Sequence, residues 1–355
     1  MPTIHPTALH DAVRDVCAGL GSPPREQALV ADQLVGANLA GHDSHGVGML
    51  PLYVDRATQG LLHVGGNATV ASDLGAVVVM DGNAAFGQVT GHDATELAIR
   101  RCREHGIALV GLRDSFHIGR IGHWGEMVAG AGLVSIHFVN VAGHVSVVAP
   151  FGGREGRFGT NPYCVALPTG DAARPFVLDF ATSRIALGKA RVAMNEGRPV
   201  PPGTVVDANG DVTDDPTAMF GDPLGALVAM GDHKGSGLAM ACELLGAALI
   251  GGTTMVHSGP LAPQLDGSVL NSMVTIAIDP AGLGIDDEPG FERLADAFLS
   301  GITSTPTTRD TDEVLTPGEP ERRSRAARAD GIPVDDATWA ELAAAASAVG
   351  RTWPD

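Results

Sequence analysis

The segment Ser115–Gly125 constrains the fold of this chain more than any other stretch. It places two histidines, one arginine, one tryptophan and three glycines within eleven residues. The apolar run at 106–112 predicts a buried strand before it, and 126–131 and 133–139 predict a helix and a second strand after it. Polar, glycine-rich connections at the ends of buried strands are where α/β proteins usually place their chemistry. The pattern therefore predicts an α/β fold with a site here; a surface loop with incidental histidines is the alternative.

Helical patterns occupy both ends of the chain, and strands alternate with helices between them. At the ends, helices are expected at 7–20, from Ser22 to Leu39, and at 51–60, 291–299, 319–329 and 336–349. Further strands are expected at 76–80, 163–168, 176–180 and 270–278, with helices at 90–104 and 233–250. Ser22 is predicted to cap the second helix, because prolines follow it in the first turn. The nearly uncharged helix at 233–250 should be the most deeply buried, and the Gly-, Pro- and Asp-rich segment 196–217 an irregular excursion.

These patterns predict a central α/β domain enclosed by a helical domain that both termini form. The α/β domain is assigned to residues 76–284, and the two parts of the helical domain to residues 1–75 and 285–355. The apolar faces of the terminal helices are also candidates for a subunit interface. The residues on these faces are Leu34, Val35, Ala343 and Ala345.

Composition and charge exclude several classes of partner. A net charge of −18 disfavours nucleic acid and anionic membranes as ligands. No run approaches the roughly 18 apolar residues of a membrane span, and no signal pattern opens the chain, so a cytoplasmic location is expected. The four cysteines are far apart and form no CxxC pair, which predicts reduced thiols in the core. They are Cys17, Cys102, Cys164 and Cys242.

Four stretches combine polar residues with glycine in apolar surroundings. They are His42–Gly46, the 115–125 segment, Phe158–Pro162 and Asp232–Gly237. Only two of the 23 basic residues are lysines, Lys189 and Lys234, and each has a glycine beside it in an otherwise apolar segment. Asp179 is the one acid in the apolar run 176–181. A buried carboxylate needs a partner, so Asp179 either orients a histidine or caps a neighbouring helix.

Metal and nucleotide motifs are absent from the sequence. His42 and His45 lie three residues apart around Asp43, but there is no HExxH or CxxC and no carboxylate cluster near them, so no metal site is predicted. There is also no GxGxxG after a first strand and no GxxxxGK[ST]. The residues alone indicate an α/β enzyme with His, Asp and Lys in a glycine-lined cleft.

Five motifs in order resemble the malate/L-lactate dehydrogenase-type family, which also includes sulfolactate dehydrogenases and cyclic-imine reductases. They are Asp43–Gly46 with Tyr53, Ser115–Gly119, Phe158–Pro162, Asp179–Ser183 and His233–Gly237. The resemblance runs from about residue 5 to the C-terminus. Within the family, the chain looks most like the hydroxycarboxylate dehydrogenases, by the stretches Gly41–Met49, His117–Gly122 and Thr316–Glu319.

The resemblance implies an NAD(P)-dependent homodimer that interconverts 2-oxo and 2-hydroxy carboxylates without a Rossmann fold. It implies a central mixed-sheet cofactor domain, and a helical domain formed by both termini. The catalytic residues carried over are His117 as general acid/base, with Ser44 and Asp179. The cofactor-contacting residues carried over are His45, Gly119, Arg120, Ile121, Thr160, Asp179, Phe180, Ala181, His233, Lys234, Asn271, Pro317, Gly318 and Glu319. The substrate-facing set is Met49, Tyr53 and Arg120.

One position departs from the family pattern. Many members place an arginine four residues after the first-motif histidine, where it can hold a substrate carboxylate; this chain has Met49 there. The natural substrate, the stereochemistry and the choice between NAD and NADP therefore stay open. A cyclic-imine reductase of the same fold is the first alternative function, and a metal-dependent hydrolase or lyase is the second.

Overall fold

The computed structural model describes residues 2–143, 145–255, 269–284 and 290–354. The helices are α1 (Pro6–Gly19), α2 (Pro24–Leu39), α3 (Leu50–Thr58), α4 (Gly87–His105), α5 (Ile121–Gly130), α6 (Leu187–Asn195), α7 (His233–Gly246), α8 (Phe291–Thr303), α9 (Glu319–Ala327) and α10 (Asp336–Ala348). The strands are β1 (Thr3–Ile4), β2 (Thr69–Asp73), β3 (Val77–Asp81), β4 (Ile107–Ser115), β5 (Val134–Ala142), β6 (Val148–Ala149), β7 (Tyr163–Leu167), β8 (Phe176–Phe180), β9 (Val205–Val206), β10 (Val212–Thr213), β11 (Ala226–Val228), β12 (Leu270–Ile278) and β13 (Ile332–Pro333).

A seven-stranded sheet forms the centre of the molecule, in the order β2-β3-β4-β12-β5-β7-β8. β3 and β4 run parallel, whereas the other neighbours in this sheet are antiparallel. β12 is paired along its length on both sides, with β4 and with β5. Because a Rossmann domain needs a mostly parallel sheet, this topology confirms the predicted mixed-sheet, non-Rossmann fold.

Both ends of the chain build one helical core. α1, α2, α3 and α10 bury a common set of side chains, among which Leu9, Leu34 and Leu342 are fully buried. β1 and β13 pair antiparallel, so that Ile4 lies opposite Ile332 and ties the two ends together. The predicted helical domain from both termini is therefore confirmed. α4 and α5 pack on the central sheet, where the large side chain of Trp124 is buried between them and the strands.

Several details differ from the sequence predictions. The segment 196–217 is not only irregular, because it contributes β9 and β10 to a four-stranded sheet of order β10-β9-β11-β6. α6 was not predicted. The residue that precedes α2 is Pro23, and no side chain caps this helix, so the cap predicted for Ser22 is wrong.

The burial of α7 is also different from the prediction. The helix packs on β5 with one face, but its other face is exposed and carries Met240 and Leu244 at 45% and 60% exposure. An apolar run indicates that a helix will be covered, but it does not indicate whether its own chain or another molecule covers the helix. Conversely, three of the four residues predicted at a subunit interface, Leu34, Val35 and Ala345, are already buried within this chain, whereas Ala343 is exposed.

Two further expectations can be compared with the structure. All four cysteines are buried and unpaired, which confirms the predicted core thiols. Among the helices described, none has the length and apolar character that crossing a membrane requires.

Candidate active site

His117 lies in a five-residue connection between β4 and α5, and surrounding side chains hold this connection at Ile118. The Ile118 N–H donates to Asn271 Oδ1 at 3.0 Å, and the Ile118 carbonyl accepts from Gln33 Nε2 at 2.8 Å and from Trp124 Nε1 at 3.1 Å. All three of these side chains are buried. The backbone beside His117 is therefore fixed from three elements, α2, α5 and β12.

The imidazole of His117 is bonded to a buried tyrosine. Tyr53 Oη lies 2.6 Å from His117 Nδ1, and Gln88 Nε2 donates to the same Tyr53 oxygen at 2.9 Å. Tyr53 is fully buried, Gln88 is 1% exposed and His117 is 8% exposed. Burial raises the pKa of Tyr53 above its usual range, although the bond from Gln88 lowers it in part. Tyr53 therefore stays a neutral hydroxyl, which can both donate and accept.

His45 stacks on His117 from the side of the first motif. Their ring centroids are 5.5 Å apart and the rings are inclined by 22°. Burial lowers the pKa of His45 to about 4, with smaller contributions from His42 and Arg120. Its Nδ1 is buried and has no hydrogen-bond partner in the part of the chain described. Ser44, in the same turn, is exposed and faces Gly188 near the start of α6.

Asp179 lies at the start of α5. Its Oδ2 accepts from the Gly122 N–H at 2.7 Å, which is the helix-capping arrangement that the sequence left open. Burial raises the pKa of Asp179, and the opposing effects of Arg120 and of the Gly122 bond do not reverse this. A Cβ on Gly122 would lie 2.3 Å from Arg120 Nη1 and 2.9 Å from Asp179 Oδ2. The Asp179 carboxyl and the Arg120 guanidinium therefore both lie next to Gly122, in space that a side chain would occupy.

Arg120 is buried, with 2% of its side chain exposed. Its Nη2 lies 2.6 Å from Glu126 Oε1, and Glu126 also pairs with Arg325 at 2.8 Å. Burial alone would raise the pKa of Glu126, but the two guanidinium groups outweigh it and lower the pKa. Arg120 Nη1 is buried without a hydrogen-bond partner among the described residues. The sequence indicated Arg120 and Asp179, but it did not indicate the ion pairs of Glu126 with Arg120 and Arg325.

α9 connects the terminal helices to the first motif. Glu321 accepts from, or pairs with, His42 at 3.0 Å, and Arg328 makes a two-pronged ion pair with Asp43 at 2.7 and 3.1 Å. Arg328 also donates to the Asn38 carbonyl. The sequence predicted an arginine-rich helix here, but the partners lie nearly 300 residues away and left no local signal.

Thr182 brings three of the remaining motifs together. Its N–H and its hydroxyl each donate to the Thr160 carbonyl at 2.9 Å, and its own carbonyl accepts from the Met230 N–H at 2.8 Å. The motif at 158–162, the Asp179–Phe180–Ala181 strand end and the start of α7 are thus adjacent. His233 and Lys234 are exposed there, with the His233 ring 6.0 Å from that of Phe151.

The turn at Pro317–Glu319 lies beside β8. The Pro317 carbonyl accepts from the Val177 N–H at 3.3 Å, and Gly318 has a φ of +90°. A recess of ≈ 210 Å³ lies between this turn and α5. It is lined by Glu126, Ala172, Ala173, Pro175, Val177, Gly318, Arg322 and Arg325. A wider recess of ≈ 620 Å³, beside Arg103 and Asp279, contains no motif residue, so we assign no role to it.

Asn271 and Met49, two residues of the predicted site, also have structural contacts within this chain. The side-chain amide of Asn271 accepts from the Ile118 N–H and donates to the carbonyls of Asn140 and Leu270. It therefore holds the connection that carries His117 in place. Met49 is half-buried and packs against the helical core.

The side chains of His92, Asp93 and Glu96 could together reach one metal ion. However, Asp93 already pairs with Arg25, and burial of the site is incomplete. The expectation of no metal site therefore stays a prediction.

Residues 4–343 match the malate/L-lactate dehydrogenase family. The chain belongs to this family. It is 47% identical over 343 residues to hydroxycarboxylate dehydrogenase B of Escherichia coli (strain K12), covering 96% of this chain and 93% of that protein. A solved Escherichia coli structure of the malate/lactate dehydrogenase type superposes with a TM-score of 0.92 at 45% identity, covering 100% of this chain and 97% of the other.

A solved Δ1-piperideine-2-carboxylate reductase from Pseudomonas syringae pv. tomato is also similar. Its TM-score is 0.82 at 29% identity, and the match covers 98% of this chain and all of that one. The family resemblance inferred from the five motifs is therefore confirmed, including the likeness to hydroxycarboxylate dehydrogenases.

Proposed function

We propose that this protein is an NAD(P)-dependent oxidoreductase that interconverts 2-oxo and 2-hydroxy carboxylates, with His117 as the general acid/base. The observation that carries the proposal is the bond from Tyr53 to His117 Nδ1, in a chain of the malate/L-lactate dehydrogenase family. Because Nδ1 is engaged, we assign the proton transfer to His117 Nε2. A positioned acid of this kind contributes typically about 10²–10⁴-fold to the rate.

The residues that the family resemblance assigns to the cofactor fit a polar, anionic ligand. His45 Nδ1 and Arg120 Nη1 are buried donors or acceptors without a partner among the described residues, and such groups are costly unless a ligand pairs with them. Gly119, Gly122 and Gly318 have no Cβ, and a Cβ there would clash with Gln33, Arg120 and Arg322 respectively. When bound, the reduced nicotinamide would supply a hydride to the substrate carbonyl carbon.

The side chains of this chain then control the proton. Reduction leaves an alkoxide that takes a proton from His117, and oxidation returns a proton to the same imidazole. Ser44 is exposed in the same turn as His45, and we assign its hydroxyl a hydrogen bond to the substrate. Asp179 fixes the start of α5 through Gly122 and balances the charge of Arg120.

A panel of 2-oxo acids tests the proposed class. Dihydronicotinamide absorbance is followed with oxaloacetate, pyruvate, 2-oxoglutarate and phenylpyruvate, using NADH and NADPH in turn. We expect turnover with at least one pair, and we expect it to survive a chelator. Silence across the panel contradicts the proposal, and activity that needs a metal but no nicotinamide supports a hydrolase or lyase.

The similar piperideine-carboxylate reductase supports one alternative, reduction of a cyclic imine. The C=N bond of such a substrate also accepts a hydride at carbon and a proton at nitrogen. Adding a cyclic imino acid to the panel separates the two functions by the ratio of their kcat/KM values.

From Met49 we infer which substrate side chains the site prefers. Arginine would pair bidentately with a carboxylate, whereas methionine offers only an adaptable apolar surface. We expect phenylpyruvate-like acids to be accepted, and Met49→Arg to shift preference toward small diacids, with Met49→Leu as the control. A wild type that prefers oxaloacetate, with an unchanged ranking in Met49→Arg, contradicts this role.

We also propose that the protein is a homodimer. The exposed face of α7 and its C-terminal extension carry Met240, Leu244 and Leu249, the last at 61% exposure, beside Phe151 at 62%. Contiguous exposed apolar groups mark interaction sites, and closed twofold symmetry is the commonest solution. Sedimentation at micromolar concentration should give a dimer, and Leu244→Glu should give monomer. A wild-type monomer near 36.3 kDa contradicts the proposal.

A further inference from the structure

The start of α7 is built on a backbone conformation that ordinarily belongs to glycine. Asp232 has a φ of 58° and a ψ of −123°, and the Lys234 N–H donates to the Gly231 carbonyl at 3.2 Å. These angles and this bond define a type II′ turn with Asp232 at its first central position. Glycine is the usual residue there, because any side chain is strained at such a φ. The chain therefore has an aspartate where a glycine would be relaxed.

The side chain of Asp232 is held by Arg184. Arg184 Nη2 donates to Asp232 Oδ1 at 2.7 Å, and Arg184 Nη1 donates to the Gly203 carbonyl at 2.9 Å. The backbone N–H of Arg184 also donates to the Val228 carbonyl at 2.8 Å. Because the arginine is fixed at its backbone and at its guanidinium, it anchors the Asp232 carboxylate and neutralises its charge. Glycine at position 232 would relieve the strain but would lose this anchor.

The turn at 231–234 sets the direction of the first residues of α7. The Asp232 carbonyl accepts from the Ser236 N–H at 3.1 Å, so the helix begins at the strained residue itself. His233 and Lys234 follow directly, and both are exposed. They are the two α7 residues that the family resemblance assigns to the cofactor. A change of φ or ψ at Asp232 would therefore turn both side chains away from their present direction.

The strained turn places a carboxylate where it can anchor α7. Backbone strain persists only where the surrounding structure holds it, and it clusters at sites of function. We propose that Asp232 is a positioning residue: its ion pair with Arg184 fixes the start of α7, so that His233 and Lys234 are oriented for the anionic cofactor. This inference rests on the proposed NAD(P)-dependent function. Asp232 acts through the start of α7, so its effect is on cofactor affinity and not on proton transfer.

Two substitutions at position 232 test the strain. Both remove the carboxylate, but Asp232→Gly relieves the backbone and Asp232→Ala leaves it strained. We expect the midpoint of thermal unfolding to be about 1–3 °C higher in Asp232→Gly than in Asp232→Ala. At Gly237, in the same helix and with open space around its missing Cβ, alanine should instead be the more stable residue. An alanine at 232 that is as stable as the glycine overturns the proposal.

The affinity for NADH and NADPH tests the positioning role. We expect Asp232→Ala, Asp232→Gly and Arg184→Met each to raise the dissociation constant of the better-bound cofactor by about two- to fivefold, the typical worth of an exposed ion pair. At saturating cofactor, kcat should stay within about twofold of wild type. Asp232→Asn still offers Arg184 an acceptor oxygen, so its dissociation constant should lie between those of the wild type and Asp232→Ala. Asp232→Ala combined with Arg184→Met should be no weaker than either alone, because both remove one contact.

Amide hydrogen exchange of the full chain without cofactor separates this inference from the proposed function. The N–H groups of Lys234 and Ser236 should exchange about two- to fivefold faster in Asp232→Ala and in Arg184→Met than in wild type. This loss of protection, in a protein that binds neither NADH nor NADPH, removes the proposed function and keeps the role of Asp232 in orienting α7. A wild type that binds a cofactor, with unchanged exchange in the variants, does the opposite.

A matched control and one comparison decide the inference. Arg101 of α4 also pairs with a partly exposed aspartate, Asp73 of β2, so Arg101→Met should change neither the dissociation constant nor the exchange at α7. Asp232→Gly should recover stability relative to Asp232→Ala without recovering cofactor affinity, a separation that a merely structural role would not produce. An Asp232→Gly protein that binds cofactor as tightly as the wild type, or an equal loss of affinity in Arg101→Met, overturns the proposal.

Discussion

The His117 end of the candidate site and its Lys234 end are built in opposite ways. Around His117, the supporting side chains Tyr53, Gln88 and Asn271 are all at least 97% buried and are bonded to one another or to the backbone. At the start of α7, His233 and Lys234 are exposed. In the proposed mechanism, the groups that handle the proton are thus fixed before a ligand arrives, whereas we expect those at α7 to gain their contacts when the cofactor binds.

The largest expected effect of this difference is on stability at the His117 end. Glu126→Ala removes the carboxylate that pairs with buried Arg120, and an uncompensated buried charge is strongly destabilising. We expect the free energy of unfolding to fall by about 3 kcal/mol, measured by urea denaturation. The control is Glu104→Ala, an exposed partner of Arg101, which should change it by less than about 0.5 kcal/mol. Equal effects of the two substitutions would show that Arg120 does not depend on Glu126.

A pair of glycines compares the two ends directly. Gly119 has a φ of +70°, and a Cβ there would lie 1.9 Å from Gln33 Oε1, so Gly119→Ala should cost about 1–3 kcal/mol. Gly237, in α7, has open space around its missing Cβ. Gly237→Ala should therefore stabilise the protein by about 0.5–1 kcal/mol. Thermal unfolding measures both; a destabilising Gly237→Ala would mean that the α7 end is as tightly built as the other.

The effect that is smallest at neutral pH concerns acid stability. His45 has a pKa of about 4 in the folded protein, below its ordinary 6.5, so the unfolded chain binds more protons between these values. Stability should fall as the pH falls from 6.5 to 4, and His45→Asn should reduce this slope by up to about 1.4 kcal/mol per pH unit. An identical slope in His45→Asn means that water reaches the ring.

The sequence predicted the long helices and strands better than the short strands and the burial of individual helix faces. β12 was predicted with the bounds that the structure has, because a long apolar and β-branched run between turn residues is itself a strand signal. β9 and β10 have two residues each, too few to show a period, and they were missed. The exposed face of α7 could not be predicted, since an apolar helix looks the same whether its own chain or another subunit covers it.

The motifs predicted which residues lie together, but they did not predict the hydrogen bonds between them. His117, Tyr53 and His45 do lie together, as the five motifs implied. Gln88 left no signal, because its partner Tyr53 is 35 residues away and polar residues also occur at helix starts for local reasons. The sequence left Asp179 between orienting a histidine and capping a helix, and only the bond from Gly122 shows the second arrangement.

The most direct test of this division is to measure His117→Ala and Lys234→Ala side by side, for kcat and for the dissociation constant of the reduced cofactor. We expect His117→Ala to lower kcat by about 10²–10⁴-fold and to leave the cofactor dissociation constant within about threefold of wild type. We expect Lys234→Ala to weaken the cofactor by about tenfold, the loss of one exposed charged contact, with a much smaller change in kcat. An unchanged kcat in His117→Ala, or the same pattern in both variants, would contradict the assignment of proton transfer to His117.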